Sequence, residues 1–360
     1  MSSKLRFFAL TALTVLLLSP ACRSGAPRTV EDLDADDFLK AFALTELDDL
    51  PRARNLRADH YPASNERRID LFEPKIRDLR GGYVGVGTDQ NLTFLAWAKS
   101  DYAYLMDFDP VVVMVNKIHL HFIEISPTFE EYKALWDRRK QAESLEIVKR
   151  RFQNTPDAPL IEIAWKTAHR GGTDVPDRLN DLVYMEKKFG LKTFSNDPLQ
   201  YTYIRTMIQK GRIMAVGGDL TGTKTLHSIA AAVRRIGIPI RVLYMSNAEE
   251  YFRYPDTFRS NIIDLPVDST SLVVRTATSG AKYEFGYPPG EKFEDIPFHY
   301  NLQPVQNLQA WMKFRRYQSI LTIVRARTTI SPGFSIVAKT PQEFGLQESG
   351  DVVKKPPGEW

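Results

Sequence analysis

The sequence predicts an α/β protein on a doubly wound, mostly parallel sheet. Three observations predict it. Gly82–Val86 reads as a strand, 92–99 as a helix and Ala103–Asp107 as a second strand. The pattern repeats with a strand over 212–216, a helix over 223–236 and a strand over 240–244. Strand–helix–strand units of this length are parallel units, and two of them argue for an open, doubly wound sheet. Polar residues and glycines also gather just past the strand ends, where ligands bind in such sheets.

The chain opens with export grammar. Lys4 and Arg6 precede an apolar run from Phe7 to Leu18, and Ser19-Pro20-Ala21 forms a small-residue exit. A run of about 12 apolar residues is too short for a membrane span, which needs about 20. Cys22, the only cysteine of the 360 residues, follows directly. A lone cysteine there is where a bacterial lipoprotein carries its lipid, although the box is irregular, with Ser19 three residues before it. The expected address is the cell envelope, lipid-anchored at Cys22, in the outer rather than the inner membrane; plain secretion to the periplasm is the alternative. Residues 1–21 are thus read as signal and 22–32 as a tether, followed by a single α/β domain over 33–339 and a loose tail over 340–360.

Composition narrows the function. Removing the signal lowers the formal charge from +4 to +2, and no basic concentration points to nucleic acid. A single cysteine excludes internal disulfides and thiolate-type structural zinc. The 15 Tyr and 20 Phe suggest an aromatic core or an aromatic-lined cleft.

Each element has a local reason. Asp34 opens a helix with Phe38, Ala41 and Phe42 on one face. Ile69, Phe72, Ile76 and Leu79 stripe a second helix over 66–79, which Pro74 can shorten. Thr88-Asp89-Gln90-Asn91 can cap the helix after the glycine turn, and Asp89 is expected to serve as that cap. A helical insertion occupies about 126–210. Thr128 and Glu131 form a capping box for a helix running to about Phe152, with helices over 177–189 and 199–210 after it. The basic runs 138–140 and 149–151 read as solvated faces. Leu226, Ile229, Ala230, Val233 and Ile236 share a helix face that Gly237 ends. Further strands are expected at 271–275, 320–326 and 334–338.

The strand ends carry the candidate chemistry. Gly85-x-Gly87 lets a ligand approach the backbone. Asp107, 20 residues after Gly87 at the end of the next strand, is placed to accept from a pair of ribose hydroxyls. Asp109 in Asp-x-Asp-Pro reads as a turn and helix start. His119 and His121 share a face only on a strand, and the local run reads as helical, so no metal site is expected. Neither a Gly-x-Ser-x-Gly elbow nor a P-loop lysine is present.

The order of a glycine loop after strand one, an acid after strand two and a polar loop after strand four resembles class I S-adenosylmethionine methyltransferases, a Rossmann-like fold. Two positions depart from that pattern: Tyr83 stands where the family has an acid, and Asp89 where it has a third glycine. The words Tyr83-Val84-Gly85-Val86-Gly87-Thr88-Asp89-Gln90-Asn91, Gly218-Asp219-Leu220-Thr221-Gly222 and Tyr244-Met245-Ser246-Asn247-Ala248-Glu249-Glu250-Tyr251 resemble an uncharacterised group of bacterial lipoproteins with a methyltransferase-like fold. The resemblance covers about 65–310 and includes Tyr300-Asn301-Leu302-Gln303. It implies one cleft holding Gly85, Gly87, Asp89, Gln90, Asn91, Asp219, Ser246, Asn247, Glu250 and Tyr251, with Asp107 beside them. It leaves catalytic roles open. The expected function is binding of a small ligand or an envelope partner in a degenerate cofactor cleft, with the membrane reached through the N-terminal lipid. The alternative is a methyltransferase using S-adenosylmethionine.

Overall fold

A computed structural model describes residues 29–51, 61–172, 174–278 and 298–345. Cys22, the signal, most of the tether and the last fifteen residues of the tail lie outside the described residues.

Eight strands form one sheet in the order β3-β2-β1-β4-β5-β6-β8-β7. They are β1 Gly82–Val86, β2 Tyr102–Asp107, β3 Ile213–Gly217, β4 Ile240–Ser246, β5 Val267–Thr278, β6 Phe298–Pro304, β7 Thr328–Ser331 and β8 Phe334–Ile336. The five strands from β3 to β5 are parallel. β6 runs antiparallel to β5. The chain winds outward from β1 to β3 in one direction and from β4 to β6 in the other, so the switch point lies between β1 and β4. The two parallel units are therefore as expected.

Alternation along the strands splits the core into two faces. Tyr83, Ala103, Leu105, Val242 and Tyr244 pack on one side. There they meet α2 (Glu73–Ile76), α3 (Gln90–Ala98), α4 (Pro110–Ile125) and the insertion, α5 (Phe129–Leu135), α6 (Gln141–Phe152), α7 (Ile161–Ala168), α8 (Val175–Phe189) and α9 (Pro198–Gln209). Val84, Tyr104, Met106, Leu243 and Met245 face the other side. They pack against α1 (Ala35–Phe42), α10 (Thr225–Ile236), α11 (Asp256–Asp264), α12 (Val305–Met312) and α13 (Ile320–Ile323). Asp34 and Asp37 form the capping box of α1, and Thr128 and Glu131 that of α5.

Several expectations are corrected. The helix over 66–79 shrinks to a 3-10 turn at Ile69–Leu71 and the single turn α2, and Asp78 and Arg80 take positive φ beyond it. The helix from Thr128 breaks after Trp136, where the Asp137 carboxylate caps a 3-10 turn at Arg138–Lys140. Arg138 is not merely solvated: it pairs with Asp174 and Asp177 on the start of α8. Residues 320–326 are not a strand. Ile320, Ile323 and Val324 are buried at helical spacing in α13 and the 3-10 turn after it. β6 escaped pattern reading because its buried side chains include His299, Asn301 and Gln303, not an apolar alternation. The tether's end, Val30–Asp32, is a 3-10 turn with Val30 buried. The tail begins folded, with Phe344 against Trp311.

Candidate functional site

A cleft of about 660 Å³ opens at the carboxyl ends of β1, β2, β3 and β4, around the switch point. Gly87, Gln90, Asp107, Asp219, Ser246, Asn247 and Tyr251 all line it. Seven of the expected residues thus converge on one cavity. Gly85, Asp89, Asn91 and Glu250 do not line it, and each holds the lining in place instead.

The glycines divide the work. Gly87 has φ +82, and a Cβ there would meet no atom within 4 Å, so its open side is free for an occupant. A Cβ on Gly85 would collide with Asn91 Oδ1 and the Tyr83 ring. Those two are bonded, Tyr83 Oη donating to Asn91 Oδ1 at 2.7 Å. The Asn91 amide in turn donates to the carbonyls of Val86 and Thr88 at 3.0 and 2.8 Å. Gly85 therefore makes room for a brace of the loop, not for a ligand.

Asp107 ends β2 with its carboxylate spread between two amides. Oδ2 accepts from Gly87 N at 3.1 Å and Oδ1 from Asp109 N at 2.9 Å. The Phe108 amide bonds this carboxylate as well. Burial, with the Asp109 charge adding to it against the amide hydrogen bonds, pushes the Asp107 carboxyl up to about 7. Asp109 caps α4 as expected, accepting from Val111 N at 2.8 Å. Phe108 stands beside them, 40% exposed, and Tyr61 (41%) and Tyr251 (66%) complete an aromatic rim.

Asp89 does not cap α3: it sits at the N-cap position in helical conformation with no side-chain cap bond. Its carboxylate turns inward, accepting from Ser64 N at 2.8 Å and from Arg178 Nε at 2.9 Å. Arg178, on α8 of the insertion, is 3% exposed and also donates to Gln90 Oε1 at 2.6 Å and to the Glu66 carbonyl at 3.0 Å. The insertion therefore reaches under the cleft and neutralises the loop carboxylate.

Glu66 is the residue the sequence reading missed. It is 1% exposed beneath the cleft. Its carboxylate accepts from Gln90 Nε2, Ser246 Oγ and Thr276 Oγ1, each at 2.7 Å, and from Tyr244 Oη at 3.1 Å. Burial raises its pKa, opposed by the hydroxyl donors and the Arg178 charge. Gln90 Nε2 can only donate, and the three hydroxyls can each turn a proton to it. Ser246 takes φ +48, a strained conformation for a non-glycine residue, and this turns its hydroxyl onto Glu66.

Asp219 closes its own turn, accepting from Thr221 N at 2.7 Å and Thr221 Oγ1 at 2.8 Å. A second missed acid, Asp48, holds this loop from outside. It accepts from the amides of Asp219, Thr223, Lys224 and Thr225 between 2.9 and 3.3 Å, filling the nest before α10. Burial alone would raise the Asp48 pKa, but these amides outweigh it and lower it. Glu250 ties the loop after β4 to β5, accepting from Thr278 N and Oγ1 at 2.6 and 2.7 Å.

His119 and His121 lie on α4 and part as expected: His119 Nδ1 bonds the Tyr132 hydroxyl at 2.7 Å, and His121 turns to Glu124.

The residues present fit a nucleoside better than the whole of S-adenosylmethionine. Asp107 can receive a hydroxyl pair, and the open face of Gly87 admits close approach. Among the described residues, however, Asp107 and Asp219 are the charged groups in the lining, and no Lys, Arg or His stands there for the amino-acid carboxylate.

Comparison with known proteins gives a family without an activity. A family described as a domain of unknown function, DUF7790, matches residues 61–341. That stretch contains every described lining residue except Pro51. No curated protein matches. Among solved structures, the rRNA methyltransferase aviRa from Streptomyces viridochromogenes is similar at 12% identity over 71% of this chain and 87% of its own, with a TM-score of 0.29.

Proposed function

The chain belongs to the DUF7790 family, whose function is unknown, and we propose that it binds a phosphate-free ligand of nucleoside size in the cleft at the switch point. One observation carries this reading. Asp107 faces the cleft with its carboxylate aimed by the Gly87 and Asp109 amides, in a lining whose charged groups among the described residues are acids. A phosphate there meets repulsion from whichever of Asp107 and Asp219 is ionised, whereas ribose hydroxyls meet acceptors. The reading is of a binding protein of the envelope, lipid-anchored at Cys22, rather than of an enzyme.

Calorimetry on the purified protein tests it with adenosine, S-adenosylmethionine, S-adenosylhomocysteine and ATP. Micromolar adenosine binding with ATP excluded is the expected result. S-adenosylmethionine binding more than about tenfold tighter than adenosine, about 1.4 kcal/mol, restores the methyltransferase reading. No binding of any of the four at millimolar concentration ends the nucleoside reading. The anchor is tested by mass spectrometry of the mature N-terminus: an acylated Cys22, with two or three chains, supports it, and an unmodified one refutes it.

A further inference from the structure

Four hydroxyls of the cleft lining are bonded to carboxylates. Thr88 Oγ1 donates to Asp89, Thr221 Oγ1 to Asp219, and Tyr244 Oη and Ser246 Oγ both to Glu66. All four residues line the cavity. A hydroxyl has one proton and two lone pairs, so a hydroxyl whose proton is held by a carboxylate shows only acceptors elsewhere. Gln90 is likewise locked, its amide nitrogen on Glu66 and its oxygen on Arg178. With Asp107 and Asp219 on the walls, these residues present acceptors to the cleft, which the Asn65 and Asn247 amides line as well.

We propose that Glu66, a positioning residue beneath the floor, fixes Ser246 and Tyr244 as acceptors, so that the cleft selects a ligand carrying an amine or ammonium group over the same ligand with a hydroxyl in that place. The inference rests on the reading of this cavity as a small-molecule site and names the chemistry of the molecule. Glu66 is the group that decides. Its two oxygens take up four donors, and no other carboxylate among the described residues receives the Ser246 and Tyr244 protons. The φ of +48 at Ser246 is the backbone's share in keeping that hydroxyl on Glu66. An ammonium brings up to three N–H donors and a charge to these oxygens, whereas an alcohol brings one donor and an oxygen that finds acceptors on Ser246 and Tyr244. Replacing the Glu66 carboxylate by an amide supplies an N–H in its place, which turns a hydroxyl proton outward.

The test uses the full-length protein and two matched pairs of probes, measured by calorimetry: 5′-amino-5′-deoxyadenosine against adenosine, and benzylamine against benzyl alcohol. The amine of at least one pair is expected to bind about tenfold tighter than its alcohol or better. In Glu66→Gln that preference is expected to fall below about threefold. Ser246→Ala, which leaves the buried carboxylate in place, is expected to lower it as well, and it keeps the test open if Glu66→Gln does not fold. A preference for benzylamine with neither nucleoside bound upholds the inference while ending the nucleoside reading. Adenosine and its amine bound equally, with no preference in the second pair, upholds the nucleoside reading and overturns the inference. No preference for either amine in the wild-type protein, with or without binding, overturns it. So does a preference that survives the substitutions that fold.

Discussion

Asp89 and Arg178 stand 89 positions apart and meet as a buried ion pair, Oδ2 to Nε at 2.9 Å. Through it the helical insertion is fastened beneath the glycine loop. Removing Arg178 leaves Asp89 charged and unpaired away from water, which costs about 3–5 kcal/mol. Arg178→Met is therefore expected to lose stability on that scale in urea unfolding. Arg178→Lys should recover little of it, because one ammonium cannot reach Asp89, Gln90 Oε1 and the Glu66 carbonyl in the geometry of the guanidinium. A lysine variant as stable as the wild type would show that the charge alone matters.

Asp107 gives the folded protein a pH dependence of known sign. Its carboxyl titrates near 7 in the fold, against 3.8 when unperturbed. Between those values the native state holds a proton that the unfolded chain has released, so stability falls as pH rises from about 4 to about 7. Asp107→Asn is expected to flatten that slope and to raise stability at pH 8 by roughly 2–4 kcal/mol. Thermal melts across the range check it; an unchanged slope would remove Asp107 as its source. Asp107→Ala is also expected to weaken nucleoside binding by about 1.5–3 kcal/mol, the scale of a charged hydrogen bond.

Asp48 acts with the opposite sign. Amide hydrogen bonds lower its pKa despite burial, so its contribution is present at neutral pH and is lost as pH falls through the lowered value. Asp48→Ala frees the amides of Asp219, Thr223, Lys224 and Thr225 and is expected to cost about 1–2 kcal/mol, as for a lost N-cap. Hydrogen exchange should quicken at those four amides before it does in the body of α10. Uniform quickening along the helix would mean that Asp48 secures the helix rather than the loop.

The two loop glycines should respond differently to alanine. At Gly87 the added methyl has space, and the cost is that of a positive φ, about 1 kcal/mol. At Gly85 the methyl meets Asn91 and Tyr83, and the brace of the loop must break, at a cost of about 3 kcal/mol or more with overpacking and an orphaned polar group combined. Equal melting temperatures for Gly85→Ala and Gly87→Ala would contradict this assignment.

Local pattern carried most of the sheet. The strands β1 to β5 each carry a compact apolar run or end in glycine and acid, and α1 and α10 follow from stripes and caps. β6 was not legible as a strand, because its buried His299, Asn301 and Gln303 are satisfied in part by Ser335 and Asn307 from elsewhere in the chain. Residues 320–326 misled for a related reason: a short apolar run reads equally as strand or helix, and packing against the sheet decides.

By itself the sequence determined the α/β class, the two parallel units and the place of Gly87, Asp107, Asp219 and Ser246 at strand ends, because these depend on neighbours within a few residues. Tertiary structure alone decided which candidates face the cleft and which brace it. Gly85, Asp89, Asn91 and Glu250 carry the same residue types as the lining but turn to partners in the protein. Arg178, Glu66 and Asp48 carry no motif. Burying them required donors and counter-charges 24 to 210 positions away, and no spacing along the chain encodes such a meeting.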